Sequence, residues 1–242
     1  SDVASAKLKY RMYCEEMMIS ILTVTKRNGW FDLAVKSLKN QTYKDFEWII
    51  VYEPNVEVQS TDEIKNYKWV PAPPKKAHSN LSASNNEGLR NCTGDYVLFY
   101  QDFIELEPDT LEKLVANIDD ETLITTATIN PDGNKDQRYT GIDTLREIKP
   151  AEWEENVGMA PMKVLKELGG YDEGYDQGWA WNNVNVVERA EVLGCTFLID
   201  ESINPRLEFH IKEPDADKTL ELNYLRHEMT MREIAIGKKP LK

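Results

Sequence analysis

Cysteine is scarce in this sequence, and long apolar runs are lacking. Its three cysteines, Cys14, Cys92 and Cys195, are widely spaced and form no C-x-x-C pair, which excludes a disulfide framework and a thiolate metal site. No apolar run approaches the roughly 18 residues of a membrane span, and the first residues contain no apolar signal region. We therefore expect a protein of a reducing, cytoplasmic compartment without a membrane span.

Basic residues are also in deficit. The 242 residues include 29 Lys and Arg against 42 Asp and Glu, so the formal net charge is −13. Such a surface argues against broad contact with nucleic-acid phosphates and favours solubility. The length allows one large domain or two small ones, either with a substantial core.

Strand-like and helical apolar patterns alternate along the chain. Residues 18–24 and 46–52 are short β-branched runs, and residues 31–38 between them have apolar residues at helical spacing. A strand–helix–strand unit of this kind predicts a right-handed crossover and a parallel sheet. The same alternation predicts helices over 79–91, 108–118, 161–168 and 184–193, and strands over 96–100, 123–129 and 195–199.

We predict one α/β domain over residues 17–210. An N-terminal extension over residues 1–16 precedes it, and a C-terminal helical tail over residues 211–242 follows it. The tail contains a predicted helix over residues 215–236, through which an oligomer contact could form. The apolar residues expected to anchor this helix are Leu220, Leu222, Tyr224, Leu225, Met229, Met231 and Ile234.

Short polar motifs stand at the predicted strand ends and turns. They are residues 20–27, residues 41–53, Asn86-Glu-Gly88, residues 94–102 and Gly169-Gly-Tyr-Asp-Glu173. In this order and spacing they resemble the GT-A-fold glycosyltransferases of family two, and the resemblance covers about residues 18–210. It implies the GT-A, or nucleotide-diphospho-sugar transferase, fold: a Rossmann-like mixed sheet flanked by helices, here with a C-terminal helical tail.

The resemblance also implies a chemistry. Members of the inverting type move a sugar from a nucleotide-sugar donor to an acceptor hydroxyl, and a UDP-sugar is the expected donor here. A divalent cation, Mn²⁺ or Mg²⁺, offsets the charge of the departing diphosphate, and a carboxylate takes the acceptor's proton. The acceptor is left open between a glycan, a protein and a modified nucleobase.

Donor contacts are expected at strand ends, where open α/β sheets place their ligands. Arg27 could reach a phosphate, and Glu53 stands where the family often has an Asp that contacts the base or ribose. The residues that we assign to donor binding are Thr23, Thr25, Arg27, Glu53, Asn86, Gln101 and Asp102.

The expected metal site departs from the family pattern. Where the family has Asp-x-Asp, this chain has Gln101-Asp102-Phe103, so Asp102 is the sole anionic ligand there. Some relatives use a late His as a further ligand, and His210 is the candidate. The other two histidines, His78 and His227, are expected at the surface.

The expected catalytic base is missing as well. The helix after Trp181 opens with Asn182-Asn183, where the family has Glu-Asp. An amide cannot accept a proton at neutral pH. Three explanations are open: the base comes from Asp172, Glu173 or Asp176 in the preceding loop; the chain carries an inactivating Asp→Asn change; or the protein has lost transfer activity and only binds.

The acceptor is expected beside this helix, where Gly178, Trp179 and Trp181 lie in sequence. A Trp ring stacks well on the apolar face of a sugar. The leading interpretation is a hexosyltransferase-like enzyme. The alternatives are an impaired family member that binds sugar nucleotides or glycans, and a phage-type transferase that modifies a nucleobase, against which the acidic charge counts.

Overall fold

A mixed eight-stranded sheet forms the centre of the fold. The computed structural model describes residues 17–76, 78–135, 137–142, 144–178, 180–208, 216–237 and 239–241. The strands are β1 (Ile19–Thr25), β2 (Phe46–Tyr52), β3 (Tyr67–Pro71), β4 (Tyr96–Tyr100), β5 (Ile104–Glu105), β6 (Thr122–Thr126), β7 (Leu145–Glu147), β8 (Val157–Pro161), β9 (Thr196–Asp200) and β10 (Arg206–Leu207). The sheet order is β3-β2-β1-β4-β8-β6-β9-β7, and β5 pairs separately with β10.

Helices connect most of these strands, which confirms the predicted α/β architecture. They are α1 (Phe31–Lys39), α2 (Leu81–Asn91), α3 (Thr110–Asn117), α4 (Met162–Leu168), α5 (Asn182–Val192) and α6 (Ala216–Ala235). Two short 3₁₀ turns, Pro150–Glu152 and Glu173–Gln177, precede β8 and α5. No helix among the described residues is long and apolar enough to cross a membrane.

The strand directions place the ligand-binding edge. β1 pairs in parallel with both β2 and β4, and β3 is parallel to β2. The order of connection therefore reverses between β1 and β4, which is where open α/β sheets form a ligand crevice. β8 runs antiparallel between β4 and β6, so the residues before β8 arrive beside the end of β4.

Both faces of the sheet are buried. Alternate residues of each strand point to opposite faces, so Ile21 packs in the core that contains α1 and α3, while Leu22 packs in the core that contains α4 and α5. Gly88 of α2 allows this helix to approach β1, because a Cβ at Gly88 would lie 2.1 Å from Leu22 Cδ1. The short, continuously apolar strands read from the sequence reflect this double burial.

The C-terminal helix α6 buries polar side chains and not the apolar ones that the sequence predicts as its anchors. Asn223 and His227 are 0% and 3% exposed, whereas Leu222 and Met229 are 52% and 64% exposed. The prediction that the apolar residues of this helix anchor it is therefore wrong for most of them, and so is the expected surface position of His227. The apolar residues of α6 that are largely exposed are Leu220, Leu222, Tyr224, Leu225 and Met229. Periodicity failed here because α6 docks through hydrogen bonds and ring contacts.

Candidate active site

The strand-end side of the site brings together four of the predicted donor residues. Thr23 and Thr25 end β1, Asp102 follows β4, and together with Arg27 they line one narrow recess. Trp48 of β2 donates its Nε1–H to Thr23 Oγ1 at 3.0 Å, which fixes this hydroxyl at the base of the recess. Glu53 lies at the rim, where its backbone N–H donates to the carbonyl of Thr25. The parallel pairing of the strands therefore brings these four residues to one recess, which we call the donor recess after their predicted role.

Asp102 is a buried carboxylate. Burial raises its pKa above the ordinary value, although the Thr25 hydroxyl and the Arg27 cation oppose the shift. A nearby cation would relieve this cost of burying a charge. The recess is therefore electrostatically suited to positive charge.

The side chains around Asp102 decide whether the expected metal ion could be held there. No group of three or more His, Cys, Asp or Glu side chains within the described ranges is placed to hold a metal ion. His210, the second predicted ligand, lies outside those ranges. A single carboxylate still fits Mg²⁺ or Mn²⁺ when the remaining ligands are water and substrate phosphates. Asp102 is the residue that would hold such an ion.

A second cavity of about 300 Å³ opens beside the end of β4. It lies between the residues preceding β8 and the loop that leads into α5. Of the predicted site residues, it contains Gln101, Asp176, Gly178, Asn182 and Asn183. A cavity of this size beside the donor recess provides room for a sugar ring or an acceptor hydroxyl.

Asp176 is committed to a structural contact. Its carboxylate is buried, and its two oxygens accept the backbone N–H groups of Ser82 at 2.9 Å and Ala83 at 3.1 Å. These donors belong to the first turn of α2, whose amides have no partner within the helix. The geometry favours a capping role for Asp176 over its predicted role as a base.

Asp172 and Glu173 lie in a different cavity, of about 720 Å³ beneath α6. Burial alone would raise the pKa of Asp172, but the N–H of Gly174 and the cations of Arg226 and Lys239 outweigh it and hold the pKa below its usual value. A carboxylate with a depressed pKa is a poor proton acceptor near neutral pH. The structure therefore separates both residues from Asn182 and Asn183.

Asn86 lies in that same cavity, away from the donor recess. Its Oδ1 accepts the N–H of Tyr171 at 2.8 Å, and its Nδ2 donates to the carbonyl of Tyr171 and to Glu173. Asn86 thus fixes the Gly169-Gly170 turn to α2. This position does not bring it to the strand ends where donor binding was predicted.

The backbone just before α5 is strained. Ala180 and Trp181 have φ values of 57° and 67°, in the left-handed region that costs a non-glycine residue about 1–3 kcal/mol. Asn223 of α6 holds them there by donating to the carbonyl of Ala180 at 2.9 Å. The Trp181 ring packs against α6, with its centroid 5.1 Å from that of His227. Strain maintained in this way fixes the direction in which α5 begins.

The predicted acceptor residues are therefore divided. Trp181 packs on α6 and lines a separate cavity there. Gly178 lines the 300 Å³ cavity and also lets α6 approach, because a Cβ on it would lie 2.6 Å from the carbonyl oxygen of Thr219. Trp179 lies outside the described residues.

Glu155 is a site residue that the sequence did not reveal. It lies just before β8 and lines the 300 Å³ cavity with Asn182. Burial raises its pKa to about 7, and the neighbouring carboxylate of Glu154 adds to this, while the Tyr171 hydroxyl and the Asn182 amide lower it. The Tyr171 hydroxyl donates to its Oε2 at 2.9 Å. The sequence does contain the acidic pair Glu154-Glu155, but the position of this pair at the site follows only from the pairing of β8 with β4.

Comparisons with known proteins agree with this architecture. The crystal structure of GalNAc-T7 with UDP, GalNAc and Mn²⁺ superimposes with a TM-score of 0.67 at 15% identity, covering 88% of this chain and 48% of that one. The structure of S. aureus TarS 1–349 in complex with UDP-GlcNAc gives a TM-score of 0.60 at 16% identity, covering 86% and 66% of the two chains. This chain thus spans about half of the GalNAc-T7 chain.

The sequence comparisons bear on the family. No curated protein sequence gives a significant match. Residues 20–164, more than half of the 242, match the model described as glycosyl transferase family 2. The GT-A fold that the motifs predicted is confirmed by the solved structures. On this match, the chain belongs to glycosyl transferase family 2.

Proposed function

We propose that this protein transfers a sugar from a UDP-sugar to an acceptor hydroxyl with inversion, assisted by Mn²⁺ or Mg²⁺. One observation carries the proposal: Thr23, Thr25, Arg27 and Asp102 converge at the β1–β4 crevice. Solved structures of the same fold contain UDP, UDP-GlcNAc and Mn²⁺, which supports this choice of donor and ion.

Each donor residue has a role that its position allows. The Arg27 guanidinium offers planar, fixed donors to phosphate oxygens, and Glu53 at the rim accepts hydroxyls of the ribose. Asp102 would hold the divalent ion, which when bound neutralises the charge that develops on the leaving diphosphate. The Thr23 hydroxyl shapes the base of the recess, where Trp48 already orients it.

The 300 Å³ cavity is the proposed acceptor side. Asn182 and Asn183 begin α5 at its wall, and their amides can orient a hydroxyl by hydrogen bonds. Acidic side chains also line this cavity, among them Glu154 and Asp176. Such a lining favours a neutral glycan or protein hydroxyl over a nucleic acid, whose phosphates it would repel.

The experiment is calorimetric titration of the protein with UDP, GDP, CDP and TDP, with and without Mn²⁺. We expect UDP to bind and Mn²⁺ to strengthen the binding. Asp102→Asn should remove the effect of Mn²⁺, whereas the matched control Asp62→Asn, at an exposed acid outside the crevice, should bind like the parent. Absence of binding by all four nucleotides would refute the proposed donor site.

The pair Asn182-Asn183 favours a second candidate, a family member that binds sugar nucleotides without transferring the sugar. Both functions require the donor recess, but only the first requires a proton acceptor. Release of UDP from UDP-sugars, with water or simple glycosides as acceptor, separates them. Binding without release in the parent would favour the second candidate. The cytoplasmic location expected from the cysteine content stays a prediction.

A further inference from the structure

The acceptor-side cavity contains a carboxylate beside the amide pair that stands where the family has Glu-Asp. We propose that Glu155 is the general base of the transfer reaction and takes over the role for which Asn182 and Asn183 lack a carboxylate. This inference rests on the proposed function, since it assigns a residue to the reaction at that same site.

Position is the first support. Glu155 and Asn182 line the same cavity, one from the segment before β8 and the other from the first turn of α5. The backbone N–H of Gln101 donates to the carbonyl of Asn156 at 3.2 Å, which ties the segment to the end of β4. Glu155 therefore lines the acceptor cavity near the end of β4, the strand that Asp102 of the donor recess follows.

The second support is an unpaired polar group beside it. Asn182 Nδ2 is buried and makes no hydrogen bond of ordinary length with the described residues. Its amide is nevertheless close enough to Glu155 to lower the carboxyl's pKa. A buried donor without a partner costs about 1–3 kcal/mol. A hydroxyl bound between Glu155 and Asn182 would accept from this N–H while donating to the carboxylate.

The other acidic residues of the site are less suited to act as the general base. Both oxygens of Asp176 accept amides of α2. Asp172 and Glu173 lie in the other cavity, where Asp172 meets Arg226 and Glu173 meets Asn86. Glu154 also lines this cavity, and its carboxylate adds to the raised pKa of Glu155.

The proposed step is balanced. The acceptor O–H gives its proton to a carboxylate oxygen of Glu155, and the acceptor oxygen forms a bond to the anomeric carbon from the face opposite the leaving group. The bond from that carbon to the diphosphate oxygen breaks, and its electron pair leaves with the nucleoside diphosphate. Glu155 afterwards returns the proton to water. The Tyr171 hydroxyl, 2.9 Å from Oε2, orients the carboxyl group throughout.

The charges that face Glu155 set the expected pH dependence. Burial, with the neighbouring Glu154 carboxylate, raises its pKa to about 7. The Tyr171 hydroxyl, the Asn182 amide and the Lys26 cation oppose this shift. A base must be unprotonated to act, so kcat/KM should fall as the pH decreases through about 7. Above that pH the rate should reach a plateau.

The test is nucleotide release from a UDP-sugar at saturating Mn²⁺, with Glu155→Gln and its matched control Glu147→Gln, at an exposed acid outside both cavities. We expect Glu155→Gln to lose about 10²–10⁴-fold in kcat, the usual cost of losing a general base, and to lose the acidic limb of the pH profile. Glu147→Gln should retain the parent's kcat. UDP affinity should stay unchanged in both, because neither residue lines the donor recess.

A relocation experiment distinguishes a base from a structural residue. In the double variant Glu155→Gln with Asn183→Asp, a carboxylate returns to the position of the family's Asp, and we expect activity to recover by at least about tenfold over Glu155→Gln alone. A structural role for Glu155 would not be rescued in this way. The relocated carboxylate also remains informative if Glu155→Gln unfolds, because Asn183→Asp alone should then shift the pH profile.

The outcomes separate the two proposals. No UDP binding in the parent refutes the proposed donor site and with it the reaction. UDP binding with full activity in Glu155→Gln refutes the role of Glu155 and leaves the transfer reaction standing. UDP binding without nucleotide release in the parent also overturns the role of Glu155, while the donor site survives.

Discussion

The proposed donor half and the proposed acceptor half of the cleft are built by different means. The donor half consists of strand ends whose positions follow from parallel pairing, as for Thr23 and Asp102. The acceptor half is a loop held by single side chains: Asp176 reaches α2 from 94 residues away, and Asn223 reaches the carbonyls of Tyr175 and Ala180 from α6. The first arrangement depends on the sheet, whereas the second depends on a few polar contacts.

Breaking the sheet beneath the donor half should have the largest effect. In Gly94→Ala the new Cβ would lie 2.6 Å from the carbonyl oxygen of Met18 and 2.7 Å from the N of Ser20, and backbone atoms of β1 cannot move aside locally. We expect the free energy of unfolding to fall by about 3 kcal/mol, measured by urea denaturation. Gly88→Ala is the control: its clash is with the flexible end of Leu22, so it should cost less. Equal losses would contradict this distinction.

Removing the cap of α2 should affect the acceptor half alone. Asp176→Ala leaves the amides of Ser82 and Ala83 without their acceptor, and charge-assisted hydrogen bonds contribute about 1.5–3 kcal/mol. We expect a loss of about 2 kcal/mol in unfolding free energy and lower kcat, with UDP affinity preserved. The measurements are urea denaturation, nucleotide release and calorimetry. Weakened UDP binding in this variant would show that the two halves are not independent.

Lowering the pH should slightly decrease the stability of the acceptor half. The folded-state pKa of Asp172 lies below its unfolded value, so its ionised form stabilises the fold at neutral pH, and this contribution disappears as the pH falls from about 4 through the folded pKa. Asp172→Asn should therefore lose stability near pH 7 but converge with the parent in acid. Because its partners Arg226 and Lys239 are partly exposed, the difference should stay below about 1 kcal/mol. Thermal melting across pH 2–7, with Asp62→Asn as the control, measures it; a constant difference would contradict the assignment.

The same contrast explains what the sequence could predict. Apolar runs locate β1, β2 and β4, and each motif then places its polar residue at a strand end, so the position of Thr23 and Asp102 at one edge of the sheet could be predicted. Glu155 was missed because its position depends on β8 running antiparallel beside β4. His227 was misplaced because periodicity counts apolar residues, while α6 buries Asn223 and His227. Polar contacts between distant segments leave no periodic signal along the chain.

The contact between Asp176 and α2 also determines how the cleft can receive an anion. The positive end of a helix is a common phosphate site, and Ser82 at the start of α2 lines the acceptor cavity. That end is already neutralised by the Asp176 carboxylate, so α2 has little attraction left for a diphosphate. In the proposed donor site, Arg27 and an ion at Asp102 would balance the donor's negative charge. Donor and ion should then bind as one neutral unit, each raising the affinity for the other.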